Sequence, residues 1–213
     1  MRDRPFPFSR SVANLRRVTL VADLRLRFGP TRLPARVYLP LRSSRQAGGA
    51  PLVIWCSGRN GHEVLCRELS AAATAVVLEL GRRQGINAGG HEAATLGWAA
   101  EHARELGAHP DQLVVGGELG GAALAARLAV DARDCGWPVV CRQVLVRPAF
   151  SDSCPAPSDV AGTPPATIVT TGSRRDDGSR YAATLRDAGV DVRELISDAR
   201  RALPLNELAR GLQ

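Results

Sequence analysis

The stretch Leu113-Val-Val-Gly-Gly-Glu-Leu-Gly-Gly121 decides how the chain is read. It opens on a short apolar strand, Leu113-Val-Val115. It closes on the glycine pair Gly120-Gly121, from which a helix is predicted to about Asp134. Working outward, the same rhythm repeats. Upstream, Pro51-Leu-Val-Ile-Trp55 is a continuous apolar run, as expected of a strand buried on both faces. A helix fits residues 62–73, a strand 75–80, and a long helix 91–106 that Gly107 ends. Downstream, strands fit 142–146, 166–170 and 191–196, and helices fit 177–188 and 204–211. Alternating strands and helices predict an α/β fold, a mainly parallel central sheet with helices on both faces. The N-terminal part differs. Residues 16–28 alternate toward their end, Gly29-Pro30 marks a turn, and 35–39 alternate again, which predicts an antiparallel hairpin. Residues 1–213 are read as one domain, with 1–15 an irregular arm.

In open α/β sheets, ligands sit beyond the carboxyl ends of the strands. The loops after residues 55, 80, 115, 146, 170 and 196 are therefore where function is expected.

The chain has 213 residues, 45% hydrophobic and 23% charged, within the range of globular domains. No run of eighteen apolar residues exists, so no membrane span is expected. All 28 basic residues are arginine, and the formal net charge is +7. Residues 1–45 hold eleven Arg and two Asp, while the rest has 17 Arg against 19 acids. Either two solvated strands carry this excess, or it forms a basic docking face for an anionic partner, with Arg16, Arg17, Arg25 and Arg27 as candidates. Nucleic acid is disfavoured: no helix-turn-helix, zinc or RNP-type motif is visible, and aromatics are only 4%. Five cysteines, an odd number without CxxC spacing, and an N-terminus lacking an apolar core segment predict reduced thiols in a cytoplasmic protein. The four histidines form no metal-ligand pattern with the cysteines, so neither a metal nor another cofactor is expected.

The segment from Ala100 to Gly121, with Leu106-Gly-Ala-His-Pro-Asp111 before the strand, resembles the esterases and lipases of the hormone-sensitive-lipase type. Pro51 to Asn60 is similar to their strand leading into the oxyanion loop. Arg36-Val-Tyr-Leu-Pro40 is similar to their second strand, and Pro165 to Val192 to their late strand and helix. The resemblance covers roughly residues 16–200 and implies an α/β-hydrolase fold with the helical cap reduced or absent.

The family's chemistry is where the match departs. Leu119 falls where the resemblance implies the nucleophilic Ser, and a leucine side chain has no lone pair. Ser57-Gly58-Arg59-Asn60 stands for His-Gly-Gly-Gly. Asp176 and Asp177 align beyond the acid of the triad, and no histidine follows His109. The expectation is a pseudo-hydrolase: a non-catalytic or regulatory partner of a related α/β-hydrolase or a biosynthetic enzyme, in a homo- or hetero-oligomer. One alternative is a binding module for a small acyl or carboxylate ligand, lined by Ser57, Gly58, Arg59, Asn60, Glu118, Leu119 and Gly120. Another is a carboxylic-ester hydrolase, or other pocket enzyme, using unorthodox residues, with Cys56, Ser57 and Glu118 as candidates.

Overall fold

A computed structural model describes residues 18–29, 31–41, 49–57, 63–80, 91–170, 176–197 and 205–210. The elements in chain order are β1 (Val18–Phe28), β2 (Thr31–Pro40), β3 (Ala50–Cys56), α1 (Glu63–Ala73), β4 (Val76–Leu80) and α2 (His91–Glu101). They continue with β5 (Ala108–Glu118), α3 (Gly120–Cys135), β6 (Val140–Val146), β7 (Ala166–Thr170), α4 (Asp177–Asp187), β8 (Val192–Ile196) and α5 (Leu205–Arg210). The strands form one eight-stranded sheet in the order β1-β2-β4-β3-β5-β6-β7-β8.

Two pairings, β1 with β2 and β2 with β4, are antiparallel; from β4 to β8 the sheet is parallel. This is the predicted architecture, hairpin included. All seven residues of β3 are buried, because the strand lies inside the sheet and both its faces are covered. On one face Leu52, Ile54 and Cys56 join a core with Leu96 and Ala99 of α2, Ala122, Ala125 and Ala129 of α3, and Tyr181 and Leu185 of α4. On the other face Val53 and Trp55 pack with Leu65 and Leu69 of α1 and Leu208 of α5. The period-2 alternation along β3 thus divides its side chains between two cores.

Several boundaries differ from expectation: the strand expected at 35–39 runs from Thr31 to Pro40, and that at 142–146 starts at Val140. The strand expected at 113–115 runs from Ala108 to Glu118. Glycine weakens an isolated strand, but Gly116 and Gly117 are held by ladders on both sides, opposite Trp55 and Cys56 of β3 and Val144 and Leu145 of β6. The helix expected at 91–106 is regular only to Glu101. Beyond it, the His102 N–H and its ring Nδ1 both reach the Trp98 carbonyl oxygen, at 3.0 and 2.9 Å, and the segment continues as turns to Gly107.

The arm at 1–15 and the residues of the loop at 81–90 lie outside the described residues. Among the described residues, no helix is long and apolar enough to cross a membrane. No disulfide joins the cysteines, all five of which are among the described residues. Trp55 is fully buried, as expected of a core residue, whereas Trp137 is half exposed and its ring lies against Gly97 of α2.

Candidate active site

The carboxyl ends of β3, β5, β6 and β7 adjoin one another in the sheet, and two groups of residues meet there. The first is the turn from β5 into α3. Leu119 occupies it with φ 52° and ψ −124°, a conformation that costs a non-glycine residue about 1–3 kcal/mol. The surroundings hold it there. Its N–H donates to the Val146 carbonyl at 3.0 Å, and its own carbonyl accepts from the N–H groups of Ala122, Ala123 and Ala149. The turn also depends on close backbone approach. A Cβ on Gly121 would overlap the Cys56 carbonyl oxygen, and one on Gly117 would overlap the Gly121 backbone. So α3 starts directly against the end of β3. With the Ala122 and Ala123 N–H groups bonded to Leu119, those of Gly120 and Gly121 have no intrahelical acceptor and suit a developing negative charge.

The second group is a buried polar cluster at the ends of β3 and β4. Ser57 directly follows β3, and its hydroxyl donates to Glu79 Oε1 at 2.6 Å. Tyr38 of β2 donates its phenol to Glu79 Oε2, also at 2.6 Å. All three residues are buried. Strand register brings them together, since Arg36 of β2 and Trp55 of β3 both oppose Glu79, and alternation places Tyr38 and Ser57 on the same face of the sheet. Burial, then the hydrogen bond to Glu79, pushes the Tyr38 phenol well above its ordinary range, so it remains a neutral donor. The cluster adjoins the elbow: the same hypothetical Gly121 Cβ would lie 3.6 Å from the Ser57 carbonyl carbon.

The other candidates fare differently. Cys56 is buried, and burial, then the charge of Glu92 and of Cys154, pushes its thiol up to about 12. A thiol so held is a poor nucleophile at neutral pH. Glu118 is the last residue of β5, buried, and ion-paired with Arg147 at 2.7 Å. Asp176 caps α4, accepting from the Gly178 N–H at 2.8 Å, while Asp177 accepts from the Phe150 N–H and pairs with Arg180. Both carboxylates therefore hold local structure. Gly58, Arg59 and Asn60 lie outside the described residues, as do Arg16 and Arg17. Arg25 and Arg27 are exposed on edge strand β1, which β2 and β4 separate from β3.

Glu79 and Tyr38 were not singled out from the sequence. A signal existed for Glu79: it is the one charged residue in the run Ala75-Val-Val-Leu-Glu-Leu80, where all neighbours are apolar. A carboxylate buried in such a run needs hydrogen-bond partners, and partners that far away in sequence are invisible to local patterns.

Comparison with known proteins gives a consistent picture. No family model matches the chain. Carboxylesterase NlhH of Mycobacterium tuberculosis is 28% identical, over 77% of this chain and 68% of that protein. Esterase LipI of the same organism is 29% identical, over 81% of this chain and 71% of its own length. Among solved structures, an esterase of Pyrobaculum calidifontis superposes with a TM-score of 0.79 at 22% identity, covering 94% of this chain and 87% of that one. EstE1, a thermophilic carboxylesterase cloned from a metagenomic library, gives 0.78 at 24% identity, covering 92% and 88%.

These relatives overturn the expectation of a non-catalytic partner protein. That expectation rested on the departures at Leu119 and at Ser57 to Asn60, and on the absence of the triad's acid and late histidine from their places in the resemblance. Ester chemistry, however, needs a nucleophile near the strand ends, not one particular position. The proteins that match most of this chain are named esterases, and a buried serine–carboxylate pair adjoins the elbow. The chain has the α/β-hydrolase fold, and its relatives in sequence and structure are carboxylesterases.

Proposed function

We propose that the protein hydrolyses carboxylic esters, with Ser57 as nucleophile and Glu79 as its base. The observation that carries this reading is the 2.6 Å hydrogen bond from Ser57 Oγ to Glu79 Oε1 beside the β5–α3 turn. In the first half-reaction Ser57 Oγ attacks the ester carbonyl carbon and its proton passes to Glu79. The carbonyl oxygen becomes an oxyanion facing the N–H groups at the start of α3. The intermediate collapses, the alcohol leaves with the proton, and an acyl-serine remains. Water then attacks the acyl carbon and gives its proton to Glu79, which passes it to Ser57 Oγ as the acyl–Oγ bond breaks, releasing the acid and restoring both residues. Tyr38, donating to the other Glu79 oxygen, fixes the carboxylate in place.

Ser57 is preferred over the two other candidates on chemical grounds. The Cys56 thiol is held protonated by burial, and the Glu118 carboxylate is engaged by Arg147. The test is hydrolysis of short-chain p-nitrophenyl esters by highly purified protein. Turnover that copurifies with the wild-type chain and is lost in Ser57→Ala, with the fold intact by circular dichroism, is the expected result. Turnover that survives Ser57→Ala unchanged overturns the assignment of the nucleophile, and absence of wild-type turnover overturns the activity.

A further inference from the structure

The β1–β2 hairpin has two unlike faces. Leu26, Ala35 and Val37 face the core. The opposite face carries Asp23, Arg25 and Arg27 on β1, directly across from Arg36, Pro34 and Arg32 on β2. The half of this face nearer α1 is neutralised. Arg36 pairs with Asp23 at 2.6 Å and with Glu63 of α1 at 3.0 Å, and Arg67 joins Glu63 at 3.1 Å. The distal half is not. Arg25, Arg27 and Arg32 are exposed, and none of them forms an ion pair or hydrogen bond with another described side chain. Arg27 and Arg32 stand directly opposite each other, and like charges in that position destabilise a strand pair. The arginines also border an edge that carries no further strand among the described residues. β1 is a terminal strand of the sheet, eleven residues long, and pairs only with β2 among the described strands.

We propose that this edge accepts an extended segment of a partner protein, added as a strand beside β1, with carboxylates at alternate positions facing Arg25 and Arg27. Residues two apart on a strand lie about 7 Å apart on one face, so a row of alternating Glu or Asp would meet the arginine row in register. Backbone hydrogen bonds supply attraction at the edge, and the charge row supplies selection. Other occupants fit less well. A second copy of β1 would set its arginines against arginine or against Asp23, which Arg36 already holds. The chain's own residues 1–17 carry five Arg and one Asp, the wrong sign. No exposed aromatic side chain accompanies the arginines to stack on a nucleic-acid base: Tyr38 shares their face but is buried, and Phe28 packs against the core. Charge alone commonly protects an edge strand from aggregation, but mixed signs would serve that purpose without the cost of opposing Arg27 to Arg32.

The test uses the whole protein and a fluorescein-labelled peptide of alternating Glu and Thr. Its comparators are a peptide of the same composition with the glutamates in one block, oligothymidylate, and phosphatidylserine vesicles. Saturable binding of the alternating peptide by fluorescence anisotropy, tighter than to any comparator, is expected. Arg25→Ser/Arg27→Ser should weaken it by about tenfold or more, the scale of losing two charge-assisted contacts. The charge-matched Arg104→Ser/Arg142→Ser control should bind as the wild type does, and β1 amides should gain protection from hydrogen exchange on binding. Failure of the alternating peptide to saturate overturns the proposal. So does equal weakening in both double variants, equal or tighter binding of a comparator, or unchanged exchange at β1.

Discussion

The turn between β5 and α3 and the polar junction at the ends of β3 and β4 lie against each other but are built on opposite principles. At the turn the backbone is specialised and the side chain is not. Leu119 holds a strained conformation, two glycines admit close approach, and four backbone hydrogen bonds secure the geometry around an aliphatic group. At the junction the backbone is ordinary and the side chains are specialised. Ser57 and Tyr38 converge on the two oxygens of Glu79, in a region otherwise filled by Val53, Trp55 and Val77. The comparison teaches that scaffold and reactive group are separable. A strained turn sets the start of a helix against a strand end whatever its own side chain is, while polar side chains can enter from a neighbouring strand.

Substitutions can break this contrast. The largest effect is expected at Ser57. Ser57→Ala should lower kcat for p-nitrophenyl esters by about a thousandfold or more, as loss of an activated nucleophile does. Next is Gly121→Ala, which places a methyl group on the Cys56 carbonyl oxygen. It should destabilise the fold by about 3 kcal/mol or more, read as a lower midpoint in urea with an unchanged slope. Glu79→Gln keeps the shape of the junction but removes the base. It should lower kcat by about a hundredfold with little change in KM.

A smaller effect separates the proposed site from a merely buried carboxylate on the same side of the sheet. Glu68 of α1 is buried, and its Oε2 has no hydrogen-bond partner among the described residues. Burial pushes its pKa above the ordinary carboxylate value of 4.5. Because the folded-state pKa is the higher one, the native state holds the proton more tightly than the unfolded chain. Stability from this group is therefore complete at acid pH below the unfolded pKa and falls as pH rises through the folded one. Glu68→Gln should raise Tm at pH 7, by about 2–4 °C for each kcal/mol relieved, and change it little at pH 4. The smallest effect is expected at Leu119→Ser. A hydroxyl at the turn gains no general base, since no histidine follows His109 in the chain. Turnover should stay within about threefold of wild type, because a serine without a base is a weak nucleophile. A large gain would return the chemistry to the turn and erase the contrast.

Much of this architecture was legible from residues alone. Strand β7 falls on residues 166–170 as expected, and the run Pro51 to Trp55 reads correctly as a strand covered on both faces. The hairpin, the parallel sheet and the helices on both faces follow from hydrophobic period and turn residues. For the proposed site the sequence offered Cys56, Ser57 and Glu118 side by side, and nothing in their local sequence ranks them. Their ranking came from partners: Glu79 for Ser57, Arg147 for Glu118, and apolar surroundings for Cys56. The departures from the family's motifs, at Leu119, at Ser57 to Asn60 and at the acid and histidine positions, were together overweighted as evidence about function.

By itself the sequence determined what depends on near neighbours along the chain. Period 2 and period 3.6 set the order of strands and helices, glycines at 107 and 136 end the segments before them, and Asp176 starts a helix. Only the tertiary structure decided what depends on register. Ser57 meets Glu79 across 22 residues, Tyr38 meets it across 41, and Arg147 meets Glu118 across 29. A slip of one residue in any of these ladders would turn one partner to the opposite face, so the pairs exist only because packing of both cores selects the register.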